Sequence, residues 1–366
     1  MGERYAKQTI LPEIGREGQV ALGKARVLCV GAGGLGCAVL PYLAGAGVGK
    51  ITIIDDDRVD ASNLQRQVLF GESNLGELKA IAAARRLANL NPDIRIEARP
   101  ERLDSGNAKV LFETHDLVID GSDNFATKYL AGDASVKFGV PLVYGSATGL
   151  EAMVSLFLPG SGPCLRCLFP EPPTGWVPNC AEAGVLGPLV GAAGCVQAIE
   201  AIKLLAGRPG SGLESLCGRL WVMDGRDLAV RRMAIRRSPD CPVCSGSPAN
   251  IELQGPGPRV REIGPGEIDR LKQPVLVDVR EPREFVEGHI PGAINRPLSA
   301  LQSGQARLPD AGTCVVYCAS GNRSRQAIEL AGSNPGVDLR NLRGGIAAWE
   351  GAGNVRVVPD SAERAV

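Results

Sequence analysis

The chain has 366 residues, long enough for two domains that each bury a core. Lys and Arg number 40, as do Asp and Glu, so no net field recruits nucleic acid or an anionic membrane. Eleven cysteines and two histidines, behind an opening MGERYAKQ without an apolar h-region, speak against a disulfide framework, a histidine-built metal site and a Ser/His/Asp triad.

Residues 1–24 read as a short helical approach. From Ala25 the apolar runs 26–30, 51–55, 94–98, 116–120 and 141–145 alternate with helical segments such as 76–90 and 124–138. That alternation predicts a mostly parallel sheet with helices on both faces. Beyond Tyr144, residues 153–158 suggest an antiparallel strand, 159–183 a loop rich in Pro and Cys, 186–206 a helix and 219–236 a hairpin. QGPGPR at 254–259 has linker composition. A second α/β pattern begins near Val260, with apolar runs at 275–279 and 314–318. The expected division is a first domain over 1–246, a linker over 247–259, a smaller α/β domain over 260–357 and a tail over 358–366. No segment reads as long and apolar enough to span a bilayer, so a cytoplasmic enzyme is expected.

The first chemical signal is the stretch from Ala25 to Arg66. An apolar run enters Gly31-Ala32-Gly33-Gly34-Leu35-Gly36, a helical pattern follows, and Asp55 closes the next apolar run. This G-x-G-x-x-G with a later acid is the nucleotide fingerprint of a Rossmann-like βαβ unit. Its glycines bring N–H groups to a phosphate, and Asp55 accepts from ribose hydroxyls. Arg66, Lys79 and Asp123 can converge on the same crevice at the carboxyl ends of the strands. Hydride transfer has no special use for two cations and a further carboxylate. Joining a carboxylate to ATP does: Arg66 and Lys79 screen the phosphates, and Asp123 holds Mg²⁺.

Ser62-Asn63-Leu64-Gln65-Arg66-Gln67 and Gly121-Ser122-Asp123-Asn124, together with the glycine loop, resemble the MoeB/ThiF superfamily, relatives of ubiquitin-activating enzymes, from about Tyr5 to Cys244. The resemblance implies that ATP adenylates the C-terminal glycine of a ubiquitin-like sulfur carrier of the MoaD, ThiS or CysO type, with a Gly-Gly tail. It assigns Gly34, Asp55, Ser62, Asn63, Arg66, Lys79, Asp123 and Asn124 to ATP and Mg²⁺, and implies a homodimer. Lys7 stands where the family often has Arg, and lysine lacks the planar fork.

Cys164-Leu165-Arg166-Cys167 and Cys241-Pro242-Val243-Cys244 are two C-x-x-C pairs suited to a closed, structural Zn²⁺ site. Cys180 lies in a Pro-rich loop, outside any apolar run, where a thiol is as readily reactive as inert. The family resemblance makes it the acceptor of the carrier's acyl group. Cys29, Cys37, Cys195 and Cys314 sit within apolar periodicity and read as core.

In the second domain Cys318 closes an apolar run, and Gly321, Asn322 and Arg323 lead into a helix. Backbone N–H groups and Arg323 around that thiol favour a thiolate or a persulfide. With Asp278-Val279-Arg280 and Gly288 to Asn295, the stretch resembles a rhodanese domain over about 260–355. In that reading His289 is a loop residue, Asp278 and Arg280 form a local ion pair, and a cysteine desulfurase or thiosulfate supplies the sulfur. Ala319 replaces the Arg common in thiosulfate sulfurtransferases. The phosphatase branch of the fold has a loop one residue longer, so the short Cys-x-x-Gly-x-Arg favours sulfur. Two other classes compete with this two-step enzyme: an NAD-dependent oxidoreductase with a zinc-stabilised appendage, and a non-catalytic adaptor.

Overall fold

Strands that are apolar without alternation need cover on both faces, and the first unit of this chain provides it. The computed structural model describes residues 3–172, 184–207, 211–256, 260–310, 312–332 and 336–358. The chain divides into two compact units, Met1–Gly255 and Pro256–Val366.

In the first unit β1 (Arg26–Val30), β2 (Lys50–Ile54), β3 (Arg95–Arg99), β4 (Leu117–Asp120) and β5 (Leu142–Thr148) are parallel. β6 (Glu151–Phe157), β7 (Arg219–Asp224) and β8 (Val230–Ala234) extend the sheet in antiparallel fashion, giving the order β3-β2-β1-β4-β5-β6-β7-β8. The order reverses between β1 and β4, which is where ligands enter doubly wound sheets. One face is covered by a core that includes Leu35, Val39, Leu40, Leu43, Ala193 and Ala201, the other by Phe112, Leu130, Ala134 and Tyr144.

The helix Gly187–Ala206 corrects the expectation about apolar segments, because by length and composition it could cross a membrane. Half of it is buried within the fold, where it packs on the helix Gly34–Ala46 and on β5. Gly194 permits that closeness, since a Cβ there would stand 2.7 Å from the Ala38 Cβ. Ile251, within the stretch read as a linker, is buried beside Cys164 and Cys241, and its carbonyl accepts from Lys137 Nζ at 2.6 Å. An apolar Ile251 gains more from that burial than from solvent.

The second unit holds β9 (Arg261–Ile263), β10 (Val275–Asp278), β11 (Ile294–Asn295), β12 (Gly312–Tyr317) and β13 (Val337–Leu342), all parallel, in the order β11-β10-β12-β13-β9. Val277, Val316, Ala327 and Ile328 pack on one face, and Val315, Tyr317, Leu342 and Ile346 on the other.

Gly36 tests the close approach of the helix Gly34–Ala46 to the glycine loop after β1. Its Cβ would lie 2.2 Å from the Gly31 carbonyl oxygen, whereas a Cβ on Gly23 meets nothing within 4 Å. Gly36→Ala is expected to lower unfolding stability in urea by about 2 kcal/mol or more, and Gly23→Ala to leave it unchanged or raise it. Equal effects would contradict the packing described.

Candidate functional site

The site begins with backbone approach. Gly31 has φ +91, and a Cβ on it would stand 2.8 Å from the Gly121 carbonyl oxygen, so only glycine lets the ends of β1 and β4 come together here. Beside this contact, at the carboxyl ends of the strands, lies a cavity of about 350 Å³. Gly34, Asp55, Arg66, Lys79, Asp123 and Asn124 all line it. Ser62 and Asn63 occupy the turn Ala61–Asn63 and are not among its lining residues; the Ser62 carbonyl accepts from Arg66 Nη1 at 3.2 Å.

Asp55 grips the glycine loop. Its carboxylate accepts from the Ala32 N–H at 2.7 Å and from the Asp57 N–H at 2.8 Å. Burial pushes the Asp55 carboxyl up to about 6, against the pull of nearby Lys79. Lys79 is buried and donates to Asp57 at 3.1 Å. Burial alone lowers an ammonium, but Asp57 and Asp55 overcome it and hold Lys79 above its ordinary value. Asn124 caps the helix Phe125–Phe138, accepting from the Thr127 N–H at 2.9 Å, which sets Asp123 at the start of that helix, exposed to solvent.

Lys128 was not singled out from sequence. Its Nζ donates to Asp120 at 3.0 Å and to the Gly145 carbonyl at 2.6 Å, and it lines the same cavity. Asp120 is fully buried and also accepts from the Ser122 N–H and hydroxyl. Removing one member of such a pair typically costs about 3–5 kcal/mol, because the other charge stays buried. The sequence held one signal for it: a lysine one turn beyond the capping Asn124, directed back at the strand end.

The four C-x-x-C thiols converge, with all four Sγ atoms within 4.8 Å of one another. Cys164 to Cys167, Cys164 to Cys241 and Cys167 to Cys244 measure 3.8, 3.5 and 3.4 Å. Tetrahedral Zn–S bonds set sulfurs roughly 3.8 Å apart, so the set fits zinc with no open position. Burial pushes the Cys164 thiol far up, and a cation is what would make a thiolate stable there. Cys180 lies outside the described residues. Cys29, Cys37 and Cys314 are core, with burial raising the Cys37 thiol to about 12. Cys195 is only half-buried, because its helix turns that face partly to solvent. Cys217, unplaced from sequence, bridges to Leu156 at the sheet.

Cys318 ends β12 and is 1% exposed. The Gly321 N–H donates to its Sγ at 3.1 Å, and Gly321 stands at φ +95 to make that turn before the helix Asn322–Ala331. Arg323 gives both Nη atoms to Glu284, at 2.7 and 2.8 Å, so much of its charge is balanced before it reaches the sulfur. The Asp278 and Arg280 pair is buried, at 2.6 Å, and Arg280 also donates to the Gly288 carbonyl. His289 stacks on Phe285 at 3.8 Å and makes a loop contact to the Phe285 carbonyl.

Comparison with known proteins finds the ThiF family over residues 5–243 and a rhodanese-like domain over 266–352. A Mycobacterium tuberculosis protein named "Probable adenylyltransferase/sulfurtransferase MoeZ" is 42% identical over 366 residues, 94% of this chain and 92% of that one. "Sulfur carrier protein adenylyltransferase" from Thermus thermophilus is 48% identical over 257 residues, 69% of this chain and 93% of its own. A crystal structure of E. coli MccB with ATP shares the fold, with TM-score 0.56 and 22% identity over 67% of this chain and 75% of that one.

The four thiols give a direct test. Metal-free protein titrated with zinc is expected to bind about one ion per chain and to melt higher as it does so. Cys241→Ser should lose both the uptake and the gain, read by atomic absorption and thermal melting. A melting temperature indifferent to zinc would contradict a structural site.

Proposed function

Because this chain belongs to the ThiF family and carries a rhodanese-like domain after it, we propose that it adenylates the C-terminal glycine of a ubiquitin-like sulfur carrier and then converts it to a thiocarboxylate. It is an adenylyltransferase and sulfurtransferase, as its relative along nearly the whole chain is named. The observation that carries the fuller reading is the convergence of Asp55, Arg66, Lys79 and Asp123 on one cavity at the strand ends.

In the first step the carrier's own carboxylate attacks the α-phosphate of ATP and pyrophosphate leaves, so no side-chain nucleophile is needed. Both reactants are anionic; Arg66 and Lys79 offset their repulsion and the charge that develops on the phosphate. Each Asp55 oxygen keeps a second lone pair beyond its bond to a backbone N–H, available to a ribose hydroxyl. Gly34 begins the helix Gly34–Ala46 at the cavity, where the first N–H groups would meet phosphate, and its lack of a Cβ lets Val190 of the helix Gly187–Ala206 pack against it, since a Cβ would stand 2.7 Å from Val190 Cγ1. Asp123 would hold Mg²⁺, with Asn124 beside it on the cavity wall, and the ion would neutralise phosphate charge; Ser62 and Asn63 are given to the nucleotide by the family resemblance alone.

In the second step the terminal sulfur of a Cys318 persulfide attacks the acyl-adenylate carbonyl and AMP leaves. A thiol then attacks the Cys318 sulfur of the acyl disulfide; the S–S bond breaks to release the thiocarboxylate, and the thiol is left in a disulfide with Cys318 that a second thiol reduces. The Gly321 N–H supports this role for Cys318, because an amide N–H on the sulfur stabilises its anion. In the alternative order that the family resemblance implies, Cys180 first takes the acyl group from the adenylate as AMP leaves, and the Cys318 persulfide then displaces the Cys180 thiol. A cysteine desulfurase or thiosulfate supplies the persulfide. The family resemblance implies a homodimer as the active form, and exposed Lys7 stands where the family's arginine would reach the nucleotide of the other subunit, without that residue's planar fork.

The two steps separate by mutation. With ATP, a sulfur source and a Gly-Gly-tailed carrier, Asp123→Ala is expected to leave the carrier unmodified, with adenylate formation down by at least ~100-fold. Cys318→Ala should still form the adenylate and give no thiocarboxylate. Intact-mass spectrometry of the carrier distinguishes these products, and loss of adenylate in both variants would contradict the division of labour.

A further inference from the structure

Behind Cys318 lies a polar set that the mechanism above does not use. Ser324 is wholly buried on the first turn of the helix Asn322–Ala331. Its Oγ lies 3.6 Å from Cys318 Sγ and 2.5 Å from Asn341 Oδ1. Asn341, on β13, is 1% exposed, and its Nδ2 donates to both carboxylate oxygens of Glu262, on β9, at 3.1 and 3.0 Å. Arg325 holds the same Glu262 carboxylate at 2.6 Å.

Donor and acceptor counting orders this chain. An ionised carboxylate only accepts, so the N–H side of the Asn341 amide faces Glu262 and its oxygen faces Ser324. That oxygen also only accepts, and a serine has one hydrogen to give. While the sulfur is a neutral thiol, the Ser324 hydrogen therefore points at Asn341, and Cys318 can donate its own S–H to Ser324 Oγ. Once the sulfur is an anion it can only accept. A bond to an ionised acceptor is roughly twice as strong as a neutral one, so the hydroxyl turns to the sulfur and gives up Asn341.

We propose that Ser324 is a positioning residue whose single hydroxyl hydrogen is contested by Asn341 and the sulfur of Cys318, with Glu262 holding Asn341 in the competing orientation. The hydroxyl stabilises the sulfur anion, and the Glu262–Asn341 pair sets how much of that stabilisation is withheld. Both active-loop chemistry and the β13–β9 edge thus bear on one thiol. The inference deepens the reading of Cys318 as the thiol that carries sulfur, and it is testable without any sulfur transfer.

The test is the rate of iodoacetamide alkylation at Cys318 in the full chain, followed against pH by mass spectrometry of the peptide that contains it. Ser324→Ala is expected to slow alkylation on the rising limb of the profile by about five- to ten-fold. It should move the curve to higher pH and leave the plateau unchanged. Asn341→Ala frees the hydroxyl and should speed alkylation several-fold on the same limb. In the double variant that gain must vanish, leaving the rate of Ser324→Ala. A wild-type profile for Ser324→Ala, or a gain from Asn341→Ala that survives in the double variant, overturns the proposal. Should Ser324→Ala fail to fold, Asn341→Ala decides alone: faster supports competition, equal or slower overturns it. Failure of the wild-type chain to form a Cys318 persulfide would count against the sulfur-carrying role while leaving this competition standing.

Discussion

Two hydrogen bonds hold the Asp55 carboxylate: one from the Ala32 amide at 2.7 Å ties the loop after β1 to the loop after β2, and one from the Asp57 amide at 2.8 Å fixes the carboxylate within its own turn. They close a ring of backbone contacts in which Gly31, Gly36 and Gly121 meet without side chains between them. The cavity at the strand ends exists because that ring is held while the sheet diverges at its point of reversal. Burying Asp55 there disfavours its charged form, raising the carboxyl to about 6, and the cation of Lys79 partly offsets the penalty. Close backbone approach and the proposed binding site share the same residues, and glycine makes that approach possible without a steric penalty.

The two units answer two electrostatic problems by different means. In the first, where the proposed reactants are anions, buried and half-buried cations face one cavity, and Lys79 and Lys128 are kept charged by Asp57 and Asp120 respectively. In the second, the sulfur receives a backbone N–H, while the nearest guanidinium is spent largely on Glu284. A phosphate needs full positive charges; a soft sulfur anion at the end of a buried strand is served by oriented dipoles. The four converging cysteines belong to neither chemistry. They pin the segment that carries Cys241 and Cys244 to the one that carries Cys164 and Cys167, with Val243 and Ile251 closing over them.

How much of this was legible in the chain depends on how local the physics is. Runs such as 26–30 and 314–318 announce buried parallel strands because nothing polar interrupts them, and each is a strand. The glycine loop and the acid after the next run were legible because their spacing follows from βαβ geometry. Lys128 was not, since its partners Asp120 and Gly145 belong to different strands and only the folded sheet brings them within reach. Ser324, Asn341 and Glu262 come from three elements separated by up to 79 residues, so no local pattern could join them. Cys195 read as core because apolar composition surrounds it, yet the helix Gly187–Ala206 is apolar on more of its circumference than the sheet can cover.

The proposed first step is AMP transfer, in the cavity at the β1 and β4 strand ends, to a carboxylate of another polypeptide. Exchange of labelled pyrophosphate into ATP reads that step alone, without sulfur chemistry. Exchange is expected to require a Gly-Gly-tailed carrier and to be lost when the tail is removed. Absence of exchange with every such carrier offered, in protein shown to bind ATP, would contradict it.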